Sequence, residues 1–117
     1  MIENFGIGID ISNTEKFKSK PFNDNESFYR KIFSEEEIEY CLNFKNNYEK
    51  FAGKFALKEA VVKSINKEIQ FLEIQTSHSI SKPTVKILGS EKRYRFLASL
   101  SHESEFAVAV VISEKII

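Results

Sequence analysis

The stretch from Phe51 to Ile65, FAGKFALKEAVVKSI, constrains the fold more than any other. Alanine, leucine and lysine favour a helix, and no proline interrupts the run. Phe51, Phe55, Val62 and Ile65 recur at helical spacing and predict one apolar stripe. Glu59 and Lys63 are four residues apart, so they share a face one turn from each other. Ala52, Phe55 and Ala56 lie on the same side, up-chain of Glu59. The stretch predicts an anchored helix that carries a carboxylate and an ammonium at a fixed separation. On spacing alone, the simpler reading is a surface ion pair on an amphipathic helix.

The rest of the chain places strands around this helix. Phe5, Ile7, Ile9 and Ile11 alternate with Gly6, Gly8 and Asp10, which predicts a half-buried strand. Asp10 is then expected on an open face shared with two glycines, where another group can approach the backbone. A strand-end aspartate that begins a turn has the same pattern. GIGID lacks the third glycine of a dinucleotide fingerprint, and its glycines fall inside the strand. A short helix is expected near residues 13–18 and another near 27–32. Ser34 and Glu37 form a capping box. It opens a helix through about Phe44, with Ile38, Cys41, Leu42 and Phe44 inward. After Ile65 the pattern turns extended. Residues 69–76, 83–88 and 94–101 read as strands, 77–82 as a turn containing His78, and 103–105 as a tight turn. From Phe106 to Ile112 both faces are apolar, which places this last strand centrally or in an interface. Helices early and strands late predict an α+β fold, a long central helix packed on a sheet.

The 117 residues suit one domain with one core, spanning 1–117. Seventeen basic side chains balance seventeen acidic ones, which argues against bulk nucleic-acid binding. Eleven phenylalanines predict core filling with a surplus for a subunit interface. The single cysteine, Cys41, allows no internal disulfide and is expected to be a buried structural thiol. The N-terminus has no basic start or long apolar run, and no apolar run is long enough for a bilayer, so a cytoplasmic protein is expected.

Three positions carry candidate chemistry: Asp10, the Glu59–Lys63 pair, and His102 beside Ser101 at a strand end. Two carboxylates from separate elements suit Mg²⁺, which takes few protein carboxylates and keeps waters or substrate phosphates. Lys58, Lys63 and His102 would then face phosphate oxygens. Such a set fits phosphoryl transfer, where positioning and charge neutralisation do most of the work. Lys16, Lys18, Lys20, Arg30 and Lys31 form a basic cluster that could steer an acidic partner.

In these motifs the chain resembles the holo-acyl-carrier-protein synthases, the small trimeric class of 4′-phosphopantetheinyl transferases. The glycine-rich strand ending in Asp is matched by Gly6-Ile7-Gly8-Ile9-Asp10-Ile11. The Phe-Ala-x-Lys-Glu-Ala-x-x-Lys helix is matched by residues Phe55 to Lys63. Lys82-Pro83, Ser99-Leu100-Ser101-His102 and Phe106-Ala107-Val108-Ala109 match the later motifs in order. The resemblance implies an antiparallel-sheet transferase fold and a Mg²⁺-dependent reaction. Phosphopantetheine moves from coenzyme A to a serine of apo-acyl carrier protein, as in fatty acid biosynthesis. It implies Asp10 and Glu59 as metal ligands, and Glu59 and Lys63 as catalytic. Lys58, Lys63, Ser101 and His102 would be the coenzyme-binding residues. It also implies a homotrimer with sites between subunits, or a catalytically inactive carrier-binding member of the same fold. Three departures stand out. Lys54 and Lys16 occupy family arginine positions, and lysine cannot make arginine's bidentate contact. The glycine-rich turn after the helix is shortened to Asn66-Lys67-Glu68. Ser81 stands where the family has glycine.

Overall fold

Helix α4 (Asn47–Ile65) is the axis of the molecule. The structure is a computed structural model that describes residues 1–79, 82–89 and 93–116. Before α4 come strand β1 (Phe5–Asn13) and three short helices, α1 (Glu15–Lys18), α2 (Glu26–Arg30) and α3 (Glu35–Leu42). After it come β2 (Ile74–Ser79), β3 (Lys82–Ile87), β4 (Tyr94–Glu103) and β5 (Phe106–Lys115). Strands β1, β5 and β4 form one antiparallel sheet with β5 in the middle, and β2 pairs antiparallel with β3. The α+β reading and the central position of the last strand both hold.

The sheet turns its smallest residues toward α4. Gly6, Gly8, Asp10 and Ser12 share one face of β1, and Ala107, Ala109, Val111 and Ser113 line the same face of β5. A Cβ built at Gly8 would collide with the Ala60 carbonyl oxygen and lie 2.8 Å from the Ser64 amide nitrogen. Glycine is required there because the obstruction is helix backbone, which cannot rotate aside. The glycine face expected to be open is therefore covered by α4.

The alternating apolar residues of β1 point the other way. Phe5, Ile7, Ile9 and Ile11 are 48%, 69%, 55% and 62% exposed. Ile7 stands opposite Ile112, which stands opposite Leu97, so one row of large apolar side chains crosses all three strands. The expectation that period two marks a buried apolar face is reversed here.

Around α4 burial is nearly continuous rather than a stripe. Phe51, Ala52, Ala56, Leu57, Ala60 and Val61 are fully buried, while Phe55, Val62 and Ile65 are only partly so. Its N-terminal half joins an aromatic core with Phe17, Tyr29 and Phe33, and its C-terminal half packs on Ile74, Ile87, Ala109 and Val111. Cys41 is buried, and burial pushes its thiol up to about 12. The capping box of α3 is present: Glu37 N–H donates to Ser34 Oγ (3.3 Å) and Ser34 N–H to Glu37 Oε1 (2.8 Å).

Four local expectations change. Leu42 and Phe44 are exposed, because α3 ends at Leu42 and the chain there runs over the surface. Residues 71–73 form a 3-10 turn, so the strand expected from residue 69 begins at Ile74. His78 lies on β2 rather than in a loop, stacked on Tyr40 with ring centroids 5.0 Å apart. β2 runs to Ser79 and β3 starts at Lys82, so the expected turn is shorter; Ser81 lies outside the described residues.

Candidate active site

The close seating of α4 on β1 brings three of the expected residues together. Asp10 reaches the junction from the helix-facing side of β1, and Glu59 and Lys63 reach it from α4. Lys63 does not pair with Glu59 along the helix. Its ammonium crosses to β1, donating to the Ile9 carbonyl (2.9 Å) and to Asp10 Oδ1 (3.2 Å). Ser12 Oγ donates to the other carboxylate oxygen, Asp10 Oδ2, at 3.2 Å. Ser12 was not among the expected residues. The signal for it was the period of two, which puts residues 10 and 12 on one face of the strand.

Glu59 lies close enough to Asp10 for the two charges to interact. Partial burial, and then the neighbouring Asp10 charge, raise its carboxyl above the ordinary 4.5, while Lys63 and Lys16 pull the other way. Glu59 also borders a cavity of about 470 Å³, whose walls include Val62, Glu68, Ile69, Gln70 and Phe71. That volume falls in the range of small-molecule sites, about 300–1,000 Å³. The shortened turn after α4 begins this wall. Asn66 takes the left-handed conformation (φ 53) that ends the helix, and its N–H bonds the Val62 carbonyl at 3.0 Å.

The other expected residues lie elsewhere. Lys58 follows Leu57 into the core, and its side chain has no exposure. Its ammonium donates to Glu37 Oε1 (2.7 Å), the Ile32 carbonyl (2.8 Å) and the Phe71 carbonyl (2.9 Å). An ammonium has three donors, and all three are taken, so none is left for a phosphate. Ser101 and His102 are consecutive on β4, so they face opposite sides of the sheet. His102 faces α4 near its N-terminal half, with Nε2 3.2 Å from the Glu49 carbonyl oxygen. Ser101 pairs with Val108 on the outward side, where Ile11 also lies. Within one chain these two do not join Asp10, Glu59 and Lys63. Of the departures, Lys54 is buried and donates to Thr76 Oγ1 at 3.0 Å, and Lys16 Nζ sits 3.9 Å from the centroid of the Phe55 ring.

A long helix laid on an antiparallel sheet, with two carboxylates and a lysine at their junction, defines a small α+β protein with a site suited to phosphate chemistry. The family model described as the 4′-phosphopantetheinyl transferase superfamily matches residues 6–111. The holo-[acyl-carrier-protein] synthase of Thermodesulfovibrio yellowstonii is 37% identical over 116 residues, which cover 96% of this chain and 98% of that protein. The structure of the Helicobacter pylori holo-[acyl-carrier-protein] synthase in complex with coenzyme A superposes with a TM-score of 0.80 at 31% identity, covering 92% of this chain and 99% of that one. The corresponding Bacillus anthracis structure, in complex with CoA (3′,5′-ADP), gives 0.81 at 30% identity, covering 95% and 96%. The chain belongs to the 4′-phosphopantetheinyl transferase superfamily.

Proposed function

We propose that this chain transfers 4′-phosphopantetheine from coenzyme A to a serine hydroxyl of an apo-acyl carrier protein, releasing 3′,5′-ADP, in a Mg²⁺-dependent reaction of fatty acid biosynthesis in the cytoplasm. The observation that carries this reading is the meeting of Asp10, Glu59 and Lys63 beside a cavity of ligand size. The names of the relatives and the coenzyme A in the Helicobacter pylori complex support it.

The donor set fits Mg²⁺. Asp10 and Glu59 are hard oxygen ligands from two rigid elements, and Mg²⁺ takes few carboxylates alongside substrate phosphates. The like-charge repulsion that helps raise Glu59 is what a divalent cation relieves. When bound, the metal supplies charge neutralisation at the leaving phosphate. Lys63, held at Asp10, directs its half-exposed ammonium toward the same charge and fixes the phosphate bearing pantetheine. The serine oxygen attacks that phosphorus, and the bond to 3′,5′-ADP breaks. Glu59, a carboxylate at the reacting centre, takes the serine proton.

A homotrimer belongs to the same reading. The outward apolar row of Ile7, Ile112 and Leu97 is the kind of exposed patch that marks a protein interface. Ser101 lies on that outward side, so in such an assembly it would serve the coenzyme site of a neighbouring copy. No helix among the described residues is long and apolar enough to cross a membrane.

The deciding test is the mass of apo-acyl carrier protein after incubation with this protein, coenzyme A and Mg²⁺. A gain of one phosphopantetheine, lost with EDTA, is the expected result. No gain, while a known transferase modifies the same carrier, would overturn the reading.

A further inference from the structure

We infer that Lys58 is a positioning residue, which sets, from inside the core, a wall of the coenzyme cavity that Glu59 borders. This rests on the proposed transferase reading. Successive helix residues point about 100° apart. Glu59 therefore faces the cavity while Lys58, its neighbour in sequence, faces inward. The Lys58 ammonium ties three separate pieces of chain to α4: the Ile32 carbonyl before α3, the Glu37 carboxylate in the first turn of α3, and the Phe71 carbonyl.

Phe71 is the piece that matters for the cavity. It opens the 3-10 turn at 71–73 and lines the cavity together with Ile69 and Gln70. Residues 66–70, between α4 and this turn, belong to no helix or strand. The far end of the turn is secured by Leu88 N–H donating to the Glu73 carbonyl at 2.8 Å. The near end is secured by Lys58, with the Phe55 and Phe71 rings 5.4 Å apart beside it. A charge-assisted bond shielded from water is strong and directional. Without it, the near end of the segment that lines the cavity would be held by ring contact alone.

Glu37 holds this anchor rigid. Its second carboxylate oxygen accepts from Thr76 N–H (2.8 Å) and Thr76 Oγ1 (2.6 Å). The ammonium is therefore fixed between α3 and β2 and cannot follow Phe71 if the turn moves. Lys58 thus acts on ligand through Phe71, with no contact of its own.

The test uses the full-length protein with Mg²⁺. Lys58→Met alone leaves a buried unpaired carboxylate and risks unfolding. Glu37→Gln/Lys58→Met removes both charges and keeps the test open. Coenzyme A affinity is measured by calorimetry, and amide hydrogen exchange is followed in the protein without ligand. The expected result is about tenfold weaker coenzyme A binding, the size typical of losing a group that orients a ligand contact. Exchange should quicken at residues 69–73, with β1 and β5 unchanged. Unchanged affinity, unchanged exchange at 69–73, or exchange quickened evenly across the sheet would each overturn the inference. If the unaltered protein itself fails to bind coenzyme A, the transferase reading falls, while the exchange experiment still decides whether Lys58 holds the turn.

Discussion

Lys63 bonds Asp10 across the β1–α4 junction at 3.2 Å rather than pairing with Glu59, four residues before it on its own helix. The choice follows from packing. Gly6 and Gly8 let the helix backbone sit directly on the strand, which brings the Ile9 carbonyl and the Asp10 carboxylate within reach of Nζ. The Lys63 side chain is half exposed, so solvent screens the pair and it adds little to stability. Its value lies in holding a positive charge beside a carboxylate pair.

Lys63→Met should therefore separate activity from folding. The melting temperature should change by no more than about 2 °C, because the Lys63 side chain is half exposed and its pair is screened by solvent. Turnover should fall by about a hundredfold, the usual cost of removing one group that stabilises developing charge. Carrier modification followed by mass, alongside a thermal melt, checks both. A variant that melts normally and turns over normally would remove Lys63 from the site.

Gly8→Ala should damage both fold and site. The added carbon meets the Ala60 carbonyl, so α4 must lift from β1. Overpacking of this kind costs about 1–3 kcal/mol. Lifting the helix also separates Asp10 from Glu59 and Lys63, so turnover should fall in whatever fraction remains folded. Urea unfolding together with turnover per folded molecule measures this. Stability and turnover matching the parent protein would show that the contact is slack.

The sequence carried the three residues that meet at the candidate site better than the fold's orientation. Asp10, Glu59 and Lys63 were legible because a strand period and a helix period place each on a predictable face, and the motif order ties them together. Which face of β1 is buried was not legible. Alternation gives two faces, and apolar residues normally choose the core; here glycines took that side so that helix backbone could approach. Lys58 was misassigned for a related reason. A lysine on a helix reads as solvated unless its acceptors are known, and Glu37, Ile32 and Phe71 are all more than ten residues away. The capping box did mark Glu37, but its second role depends on β2, which sequence spacing does not bring near. Ser101 and His102 were legible as strand neighbours, and the same period of two that defines the strand separates their directions.

Glu59 should show its neighbour's charge in its titration. Burial and then Asp10 raise it above 4.5, so Asp10→Asn should lower it. A proton and a divalent cation compete for the same carboxylate. Mg²⁺ affinity should therefore fall as pH drops through Glu59's value, and this dependence should shrink in Glu59→Gln, where Asp10 is the one carboxylate of the pair left to compete for a proton. Carboxyl carbon NMR and calorimetric Mg²⁺ titrations read the two effects. A Glu59 titration that does not move in Asp10→Asn would mean that the two carboxylates are not coupled.

Glu37 titrates in the opposite sense. Burial alone would raise its carboxyl, but the Lys58 charge and the bonds from Lys58, Thr76 and Ser34 outweigh burial and hold it below 4.5. A lowered carboxyl contributes stability that is full above the unfolded value and is lost as pH falls through the folded one. Acid should therefore destabilise the protein progressively below about pH 4.5. Glu37→Gln should be less stable at neutral pH and lose less on acidification. Urea midpoints across pH 3–7 would show it, and parallel curves for the two proteins would remove Glu37 from the acid response.

The outward face of the sheet gives the last prediction. Ile7, Ile112 and Leu97 form one exposed row, and Arg95 bonds Glu114 at 2.6 Å at its edge. In a lone chain, Ile7→Glu at a site 69% exposed should cost almost nothing, because surface substitutions usually stay within about 0.5 kcal/mol. In a homotrimer, the same change places three carboxylates against apolar surface and should break the assembly. Sedimentation should then show the parent protein as a trimer and Ile7→Glu as a monomer with an unchanged circular dichroism spectrum. Coenzyme A binding by that monomer should weaken if the outward residues, Ser101 among them, complete a neighbour's site. A monomer that binds coenzyme A as tightly as the parent would place the whole coenzyme site within one chain.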